Sequence, residues 1–205
     1  MKKNWIEYSK KFTSVGGVDE VGRGALAGPI VVSGCILSTE NIKNIPNKLI
    51  NIIKDSKKMT QLQRIKVRNY IDSVGIEYKI FKLGPKEIDT GGISKANISL
   101  FLQAIEWLKS LNTEYIFTDW VSKIPLIEGV QTVIKGESYS LSVAISSIIA
   151  KTERDSIMKR LSKKVPIYGW GKNMGYGTKE HIESIKKYGV NLHHRKSFLK
   201  NYSRT

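Results

Sequence analysis

Val15-Gly16-Gly17-Val18-Asp19-Glu20-Val21-Gly22-Arg23-Gly24-Ala25-Leu26-Ala27-Gly28-Pro29 decides how this chain is read. Two adjacent carboxylates close a short apolar run, and an arginine follows between two glycines. Glycine permits positive φ and close approach of the backbone to a ligand. The stretch therefore reads as a buried strand that ends in acid and turns through a loop able to lie flat against something. Ile30 to Leu37 reads as a second strand. The connection is too short for a helical crossover, so the two strands are expected to pair antiparallel.

Further along, Asn47 to Ile53 holds a short helix, and Asp55-Ser56-Lys57-Lys58 forms a basic loop. Thr60-Gln61-Leu62-Gln63 fits a capping box and opens a helix over Leu62 to Ile71. Ile76 to Leu83 is a third strand, closed by Gly84-Pro85. Ile98, Phe101, Leu102, Ile105 and Leu108 recur at helical spacing, which predicts an amphipathic helix from about Ser94 to Leu111. Tyr115 to Thr118 is a fourth strand running into Asp119, and Val130 to Ile134 a fifth. The longest helix is expected over Ser138 to Ser162, where Leu141, Ala144, Ile145, Ile148, Ile149 and Ala150 suit close packing on a sheet.

From Lys163 onward the composition changes to a glycine-rich, aromatic loop, Tyr168 to Gly177, then a helix over Lys179 to Tyr188 and a basic tail, His193-His194-Arg195-Lys196. The order predicts an α/β fold: a five-stranded mixed sheet flanked by helices in residues 1–162, with a helical appendage in residues 163–205.

Thirty-four Lys and Arg stand against 18 Asp and Glu, a formal charge of +16 with a pI near 9.8. Such a surface favours a polyanionic partner. The bland alternative is a composition rich in Lys, Asn and Ile throughout. Cys35 is the single cysteine, so an intramolecular disulfide and a Cys-rich zinc site are excluded, and its apolar neighbours mark it as a small buried residue. The start lacks a signal peptide's apolar segment, and no stretch approaches the ~18 apolar residues of a membrane span. A cytoplasmic location is expected.

In parallel α/β sheets, sites form beyond the carboxyl ends of the strands. Asp19 and Glu20 end the first strand and Asp119 ends the fourth, so parallel pairing of those strands brings the acids to one edge. The fifth strand delivers Glu137 to the same edge, at the first turn of the long helix. A helix N-terminus favours a carboxylate by a few tenths to ~1 kcal/mol. Asp155 is the rival fourth acid, but it lies roughly 27 Å further along that helix. Four converging carboxylates repel one another unless a divalent cation neutralises them, and hard oxygen donors suit Mg²⁺ or Mn²⁺. Adjacent strand residues point to opposite faces, so a shared site is expected to need a backbone twist, with Gly22 and Gly24 supplying it. Singly, each acid also reads as an ordinary strand-end, turn or helix-terminal charge.

Together the segments resemble bacterial ribonuclease HII, the type 2 ribonuclease H, from about Val15 to Phe198. The resemblance rests on Asp19-Glu20-Val21-Gly22-Arg23-Gly24 with Ala27-Gly28-Pro29, Asp55-Ser56-Lys57-Lys58, Thr118-Asp119 and Lys135-Gly136-Glu137. It continues through Ala150-Lys151, Arg154-Asp155, Gly175-Tyr176-Gly177-Thr178 with His181, and His194-Arg195-Lys196-Ser197-Phe198. It implies a ribonuclease H-like fold in which the first and fourth strands are parallel neighbours. It implies hydrolysis of RNA in RNA–DNA hybrids, and cutting 5′ of single ribonucleotides in duplex DNA, by two-metal catalysis. Asp19, Glu20, Asp119 and Glu137 would hold the metals. Gly22, Arg23 and Gly24 would read the 2′-hydroxyl, Tyr176 would pack on the following sugar, and Lys57 would hold a phosphate near the cut.

Two residues depart from the family pattern: Glu137 stands where Asp is usual, and Trp120 where a small residue is usual. Glu at the fourth position resembles the sister family, ribonuclease HIII, which carries a long extra N-terminal domain and lacks the Gly-Arg-Gly. The extra methylene of Glu137 moves its carboxylate by about 1.5 Å, which bears on the choice of Mn²⁺ over Mg²⁺.

The rival readings are a ribonuclease HIII-like hybrid nuclease without junction specificity, a non-catalytic nucleic-acid-binding protein and a Holliday-junction resolvase. A resolvase has no use for a ribose sensor. His181, His193 and His194 read as solvated or capping residues. Arg195 and Lys196 read as part of a basic tail that adds salt-dependent affinity. A monomer is expected.

Overall fold

The computed structural model describes residues 5–6, 12–53 and 58–200. Strand β1 (Ser14–Val21) pairs antiparallel with β2 (Ile30–Ser38), from Ser14 opposite Ser38 to Val21 opposite Val31. Two short helices follow, α1 (Thr39–Asn44) and α2 (Asn47–Ile52), then α3 (Gln61–Ser73). The expected capping box opens α3: Gln63 N–H donates to Thr60 Oγ1 at 3.2 Å, and Thr60 N–H donates to Gln63 Oε1 at 2.9 Å. Strand β3 (Tyr78–Leu83) pairs with β2 antiparallel. It starts later than expected because Ile76 turns into the core beside α3.

Helices α4 (Pro85–Gly91) and α5 (Ile93–Ser110) lead to β4 (Tyr115–Asp119) and β5 (Val130–Val133). Both later pairings, β1–β4 and β4–β5, are parallel, and the sheet order is β3-β2-β1-β4-β5. The fold class and the parallel β1–β4 pairing match the sequence reading.

The long helix differs. A one-turn helix, α6 (Gly136–Tyr139), is separated from α7 (Leu141–Lys164) by Ser140. Ser140 is extended at φ −122°, and its hydroxyl accepts from Val143 N–H at 3.2 Å, so it is the N-cap of α7 rather than a residue within one helix. Glu137 therefore sits on the single turn, not on the long helix.

Helix α7 covers one face of the sheet, where Leu37, Ile50, Ile71, Ile145 and Ile149 form the core. Helix α5 covers the other, packing Phe101, Ile105 and Leu108 on Val18, Val32 and Ile116. The apolar stripe of α5 is turned by one position from the expected one: Ala96, Asn97, Leu100 and Ala104 are buried, while Leu102 is only half-buried. Alanine gives a weak periodic signal but fits against Gly34, whose missing side chain leaves room for Ala104 and Trp107.

Residues 163–200 contain α8 (Trp170–Asn173) and α9 (Lys179–Tyr188). A third cluster, with Leu26, Met158, Tyr168, Trp170, Ile185 and Leu199, packs them on the loop between β1 and β2 and on α7. Cys35 is buried, as expected. Among the described residues no helix is long and apolar enough to cross a membrane.

Candidate active site

The parallel pairing of β1 with β4 ends at Val18 opposite Thr118, so Asp19 and Asp119 follow side by side where the two strands part, each still paired to its outer neighbour. Asp19, Glu20 and Asp119 each place a carboxylate oxygen within 4.8 Å of the others. β1 is unbroken through Val21, and Gly22 follows it at φ +89°. Glu20 is still paired, opposite Val32. The longer glutamate side chain spans what strand alternation separates, at the point where β4 no longer pairs with β1.

Asp19 is only 5% exposed. Burial holds its carboxyl well above the usual carboxylate range, and the charges of Glu20 and Asp119 push the same way. A hydrogen bond from Ser147 on α7 opposes them, and Glu137 adds a smaller upward push. The backbone turns inward to hold the acids apart: Glu20 N–H donates to Asp19 Oδ1 at 2.7 Å, and Gly136 N–H donates to Asp119 Oδ1 at 2.8 Å. The second bond ties α6 to the end of β4. Glu137 is thus close enough to act on Asp19 but lies outside the group of three. Asp155 takes no part. Lys151 at 2.7 Å and Arg64 at 3.4 Å pair with it instead.

Three clustered carboxylates of which one resists ionisation form an incomplete electrostatic unit. A hard divalent cation with oxygen preference fits the donor set, since its charge would favour the ionised form of Asp19 and offset the mutual repulsion.

Beyond the acids, Gly22 is buried with φ +89°, while Arg23 and Gly24 are exposed at the loop tip. Tyr176 is half-buried, with the Arg154 guanidinium 5.3 Å from its ring centroid. It is less exposed than its flanking glycines suggest. Lys57 lies outside the described residues, and Lys58 is exposed. A cleft of about 420 Å³ runs between α3 and α7, lined by Arg64, Asp155, Lys159, Arg160 and Lys163. It is mainly basic and does not include Asp19, Glu20 or Asp119.

Three expectations about the C-terminal part are corrected. Arg195 is fully buried, so it is no part of a solvated basic tail; Lys196 remains exposed. His181 and His194 are buried and bonded to each other, neither solvated nor capping through their rings. His193 is half-buried beside Trp170. The residues that sequence reasoning passed over are Ser147, which bonds Asp19, and Arg154, which holds the loop. A serine among aliphatic helix residues was the available signal for the first. For Arg154 and Arg195 the only signal was their place in segments that resemble the family, because an arginine is by composition a surface residue.

Residues 16–201 match the family described as Ribonuclease HII. The chain belongs to that family. It is 43% identical over 189 residues to a ribonuclease HII of Clostridium botulinum, covering 91% of this chain and 68% of the relative. Among solved structures it is similar to ribonuclease H2 from Pyrococcus horikoshii, with a TM-score of 0.66 and 25% identity over 94% of this chain and all of that one. It also shares the fold of Bst-RNase HIII in complex with Mn²⁺, with a TM-score of 0.67 and 20% identity over 100% of this chain and 72% of that one. As a ribonuclease HII, the protein is an endoribonuclease of the ribonuclease H type, acting on RNA–DNA hybrids and dependent on divalent metal.

Proposed function

We propose that this ribonuclease HII cuts on the 5′ side of single ribonucleotides embedded in duplex DNA as well as within longer hybrids, leaving 3′-hydroxyl and 5′-phosphate ends. The observation that carries the reading is the convergence of Asp19, Glu20 and Asp119 beside an exposed glycine loop. Asp19, Glu20, Asp119 and Glu137 are the residues proposed to hold two divalent ions. Such ions, when bound, supply an activated water and stabilise the charge on the leaving oxygen.

The chain's own part is orientation and selection. A cation held here would favour the ionised form of Asp19, which burial and the neighbouring acids disfavour. Arg23 and Gly24 present backbone at the loop tip, suited to the 2′-hydroxyl, the group that distinguishes RNA from DNA. The half-buried ring of Tyr176 suits the sugar of the deoxynucleotide that follows. Lys57, Lys58 and the basic cleft along α7 suit backbone phosphates, giving salt-dependent affinity. Residues 163–205 are proposed to complete the groove, and the protein to act as a monomer in the cytoplasm. Mn²⁺ is proposed to support cleavage alongside Mg²⁺. Glu137 favours this, and Bst-RNase HIII, which has the same fold, is described in complex with Mn²⁺.

The test is a labelled duplex with one embedded ribonucleotide, incubated with Mg²⁺, Mn²⁺ or EDTA and mapped for the cut. A single cut 5′ of the ribonucleotide in either metal and none in EDTA is expected. Cleavage of long hybrids alone would replace this reading with a ribonuclease HIII-like one. Binding without any cleavage would sink both. In the same assay Tyr176→Ala is expected to lower cleavage of the single-ribonucleotide duplex by roughly tenfold, the scale of one lost stacking contact, and of a long hybrid by much less. Equal losses would remove Tyr176 from the junction.

A further inference from the structure

The loop between β1 and β2 is held from behind by two buried guanidinium groups. Arg154 on α7 donates from Nε to Pro29 O at 3.0 Å, from Nη2 to Ala27 O at 3.1 Å and from Nη1 to Met174 O at 2.8 Å. Arg195 donates from Nε to Gly28 O at 3.0 Å and from Nη1 to Arg23 O at 2.9 Å. Its backbone N–H donates to Leu26 O, and Gly28 N–H donates to His193 O, both at 2.8 Å. The segment around His194 and Arg195 is therefore laid against the loop as a short antiparallel bridge, Ala27 opposite His194.

The preceding residue reaches the other way. His194 Nδ1 accepts from Asn191 N–H at 2.9 Å, which leaves its proton on Nε2. That Nε2 lies 3.1 Å from His181 Nε2. His181 Nδ1 lies 2.9 Å from the carbonyl of Tyr176, which can only accept, so His181 carries its proton on Nδ1. Its Nε2 then accepts from both His194 and Trp170 Nε1. The partners leave one consistent set of neutral tautomers. Burial agrees, pushing His181 down and His194 down to about 4.

Two neighbouring residues thus address the two halves of the proposed sugar-reading apparatus. Arg195 fixes the carbonyl of Arg23, and His194, through His181, fixes the carbonyl of Tyr176. We propose that His194 and Arg195 are positioning residues that set the spacing between the Gly22-Arg23-Gly24 loop and Tyr176, and so govern selection of the ribonucleotide–deoxynucleotide junction.

This inference rests on the junction reading above. Packing alone is a poor account of Arg195. Its Nη2 is buried with no hydrogen-bond partner among the described residues, and burial and the nearby Arg154 lower its pKa to about 9. A buried, partly unpaired cation costs stability that an apolar side chain would not. What the guanidinium supplies is a fork of fixed geometry across two loop carbonyls, which lysine cannot reproduce.

Arg195→Lys and His194→Asn are the test variants. The Asn oxygen can still accept from Asn191 N–H, but the side chain is too short to reach His181. The readout is the ratio of kcat/KM on a single-ribonucleotide duplex to kcat/KM on a long hybrid, measured beside the Tm. Each variant is expected to lower that ratio roughly 10- to 100-fold, the scale of an ångström-sized misplacement. Placed in a Tyr176→Ala background, either variant is expected to lower it little further, because the spacing no longer has a second end.

A wild type that cuts the single-ribonucleotide duplex, with an unchanged ratio in the variants, would overturn the inference, as would additive losses in the double variants. If Arg195→Lys does not fold, His194→Asn decides by the same criteria. A wild type that cuts long hybrids but not the single-ribonucleotide duplex would overturn the junction reading itself, and this inference with it.

Discussion

Asp19→Asn is expected to abolish hydrolysis while making the metal-free protein more stable. The two effects have one cause. Asp19 is buried beside Glu20 and Asp119 and is pushed well above its ordinary 3.8. In the folded state it therefore binds a proton more tightly than in the unfolded chain. Below the unfolded value both states are protonated and the residue contributes nothing. As pH rises above it, the unfolded chain ionises more readily and stability falls, and the loss is complete above the folded pKa.

The asparagine removes that penalty and keeps a partner for the Ser147 hydroxyl. A rise in Tm near neutral pH is expected, with little rise near pH 4. Activity should drop by roughly 10³-fold or more, since the proposed ions are worth several kcal/mol of transition-state stabilisation. Mg²⁺ should raise the Tm of the wild type, by binding the native state alone, and raise it far less in the variant. A variant no more stable than the wild type at neutral pH would show that the acids are not in conflict. One that retains turnover would take Asp19 out of the site.

The strands and their acids were legible because they depend on local patterns. Asp19, Glu20 and Asp119 each end an apolar run, and sheet topology alone brings such ends together. Glu137 was legible as a neighbour of that edge but not in its setting. The break at Ser140 comes from one serine hydroxyl competing with the helix for Val143 N–H, and a serine within a helical pattern has several possible roles. The stripe on α5 was displaced because alanines facing Gly34 weigh little in a hydrophobic count. The C-terminal segment was the main misreading. Charge makes His194-Arg195-Lys196 look like a tail in solvent, yet only Lys196 is exposed. What buries Arg195 is a set of loop carbonyls some 170 positions earlier in the chain. No local pattern in the sequence records such a match.

Gly17→Ala is expected to be strongly damaging for so small a substitution. A Cβ at Gly17 would lie 2.1 Å from the Ser142 carbonyl carbon, 2.3 Å from its oxygen and 2.4 Å from Val143 N. All three are backbone atoms in the first turn of α7, so no side chain can rotate away. The contact is also pinned from both sides: Ser142 Oγ donates to Gly16 O at 3.1 Å, and Ser146 Oγ donates to Gly17 O at 2.7 Å. Relief requires moving the N-terminus of α7 off β1. Overpacking ordinarily costs 1–3 kcal/mol, and a backbone obstacle puts this case at about 3 kcal/mol or more. That corresponds to a fall in Tm of roughly 6–12 °C.

The damage is expected to reach the chemistry as well, because α7 carries Ser147 to Asp19 and Arg154 to the loop. The variant should lose activity even at temperatures where it is folded. Gly16→Ala meets chiefly the end of a leucine side chain, Leu108 Cδ1 at 2.9 Å, and should cost less. Gly24→Ala meets nothing within 4 Å and should leave the Tm within about 1–2 °C of the wild type, a change of at most ~0.5 kcal/mol. Thermal melts of the three variants give the ranking. If Gly17→Ala melts with Gly24→Ala, the helix is not seated on β1 at this glycine, and Ser147 then owes its place beside Asp19 to some other contact.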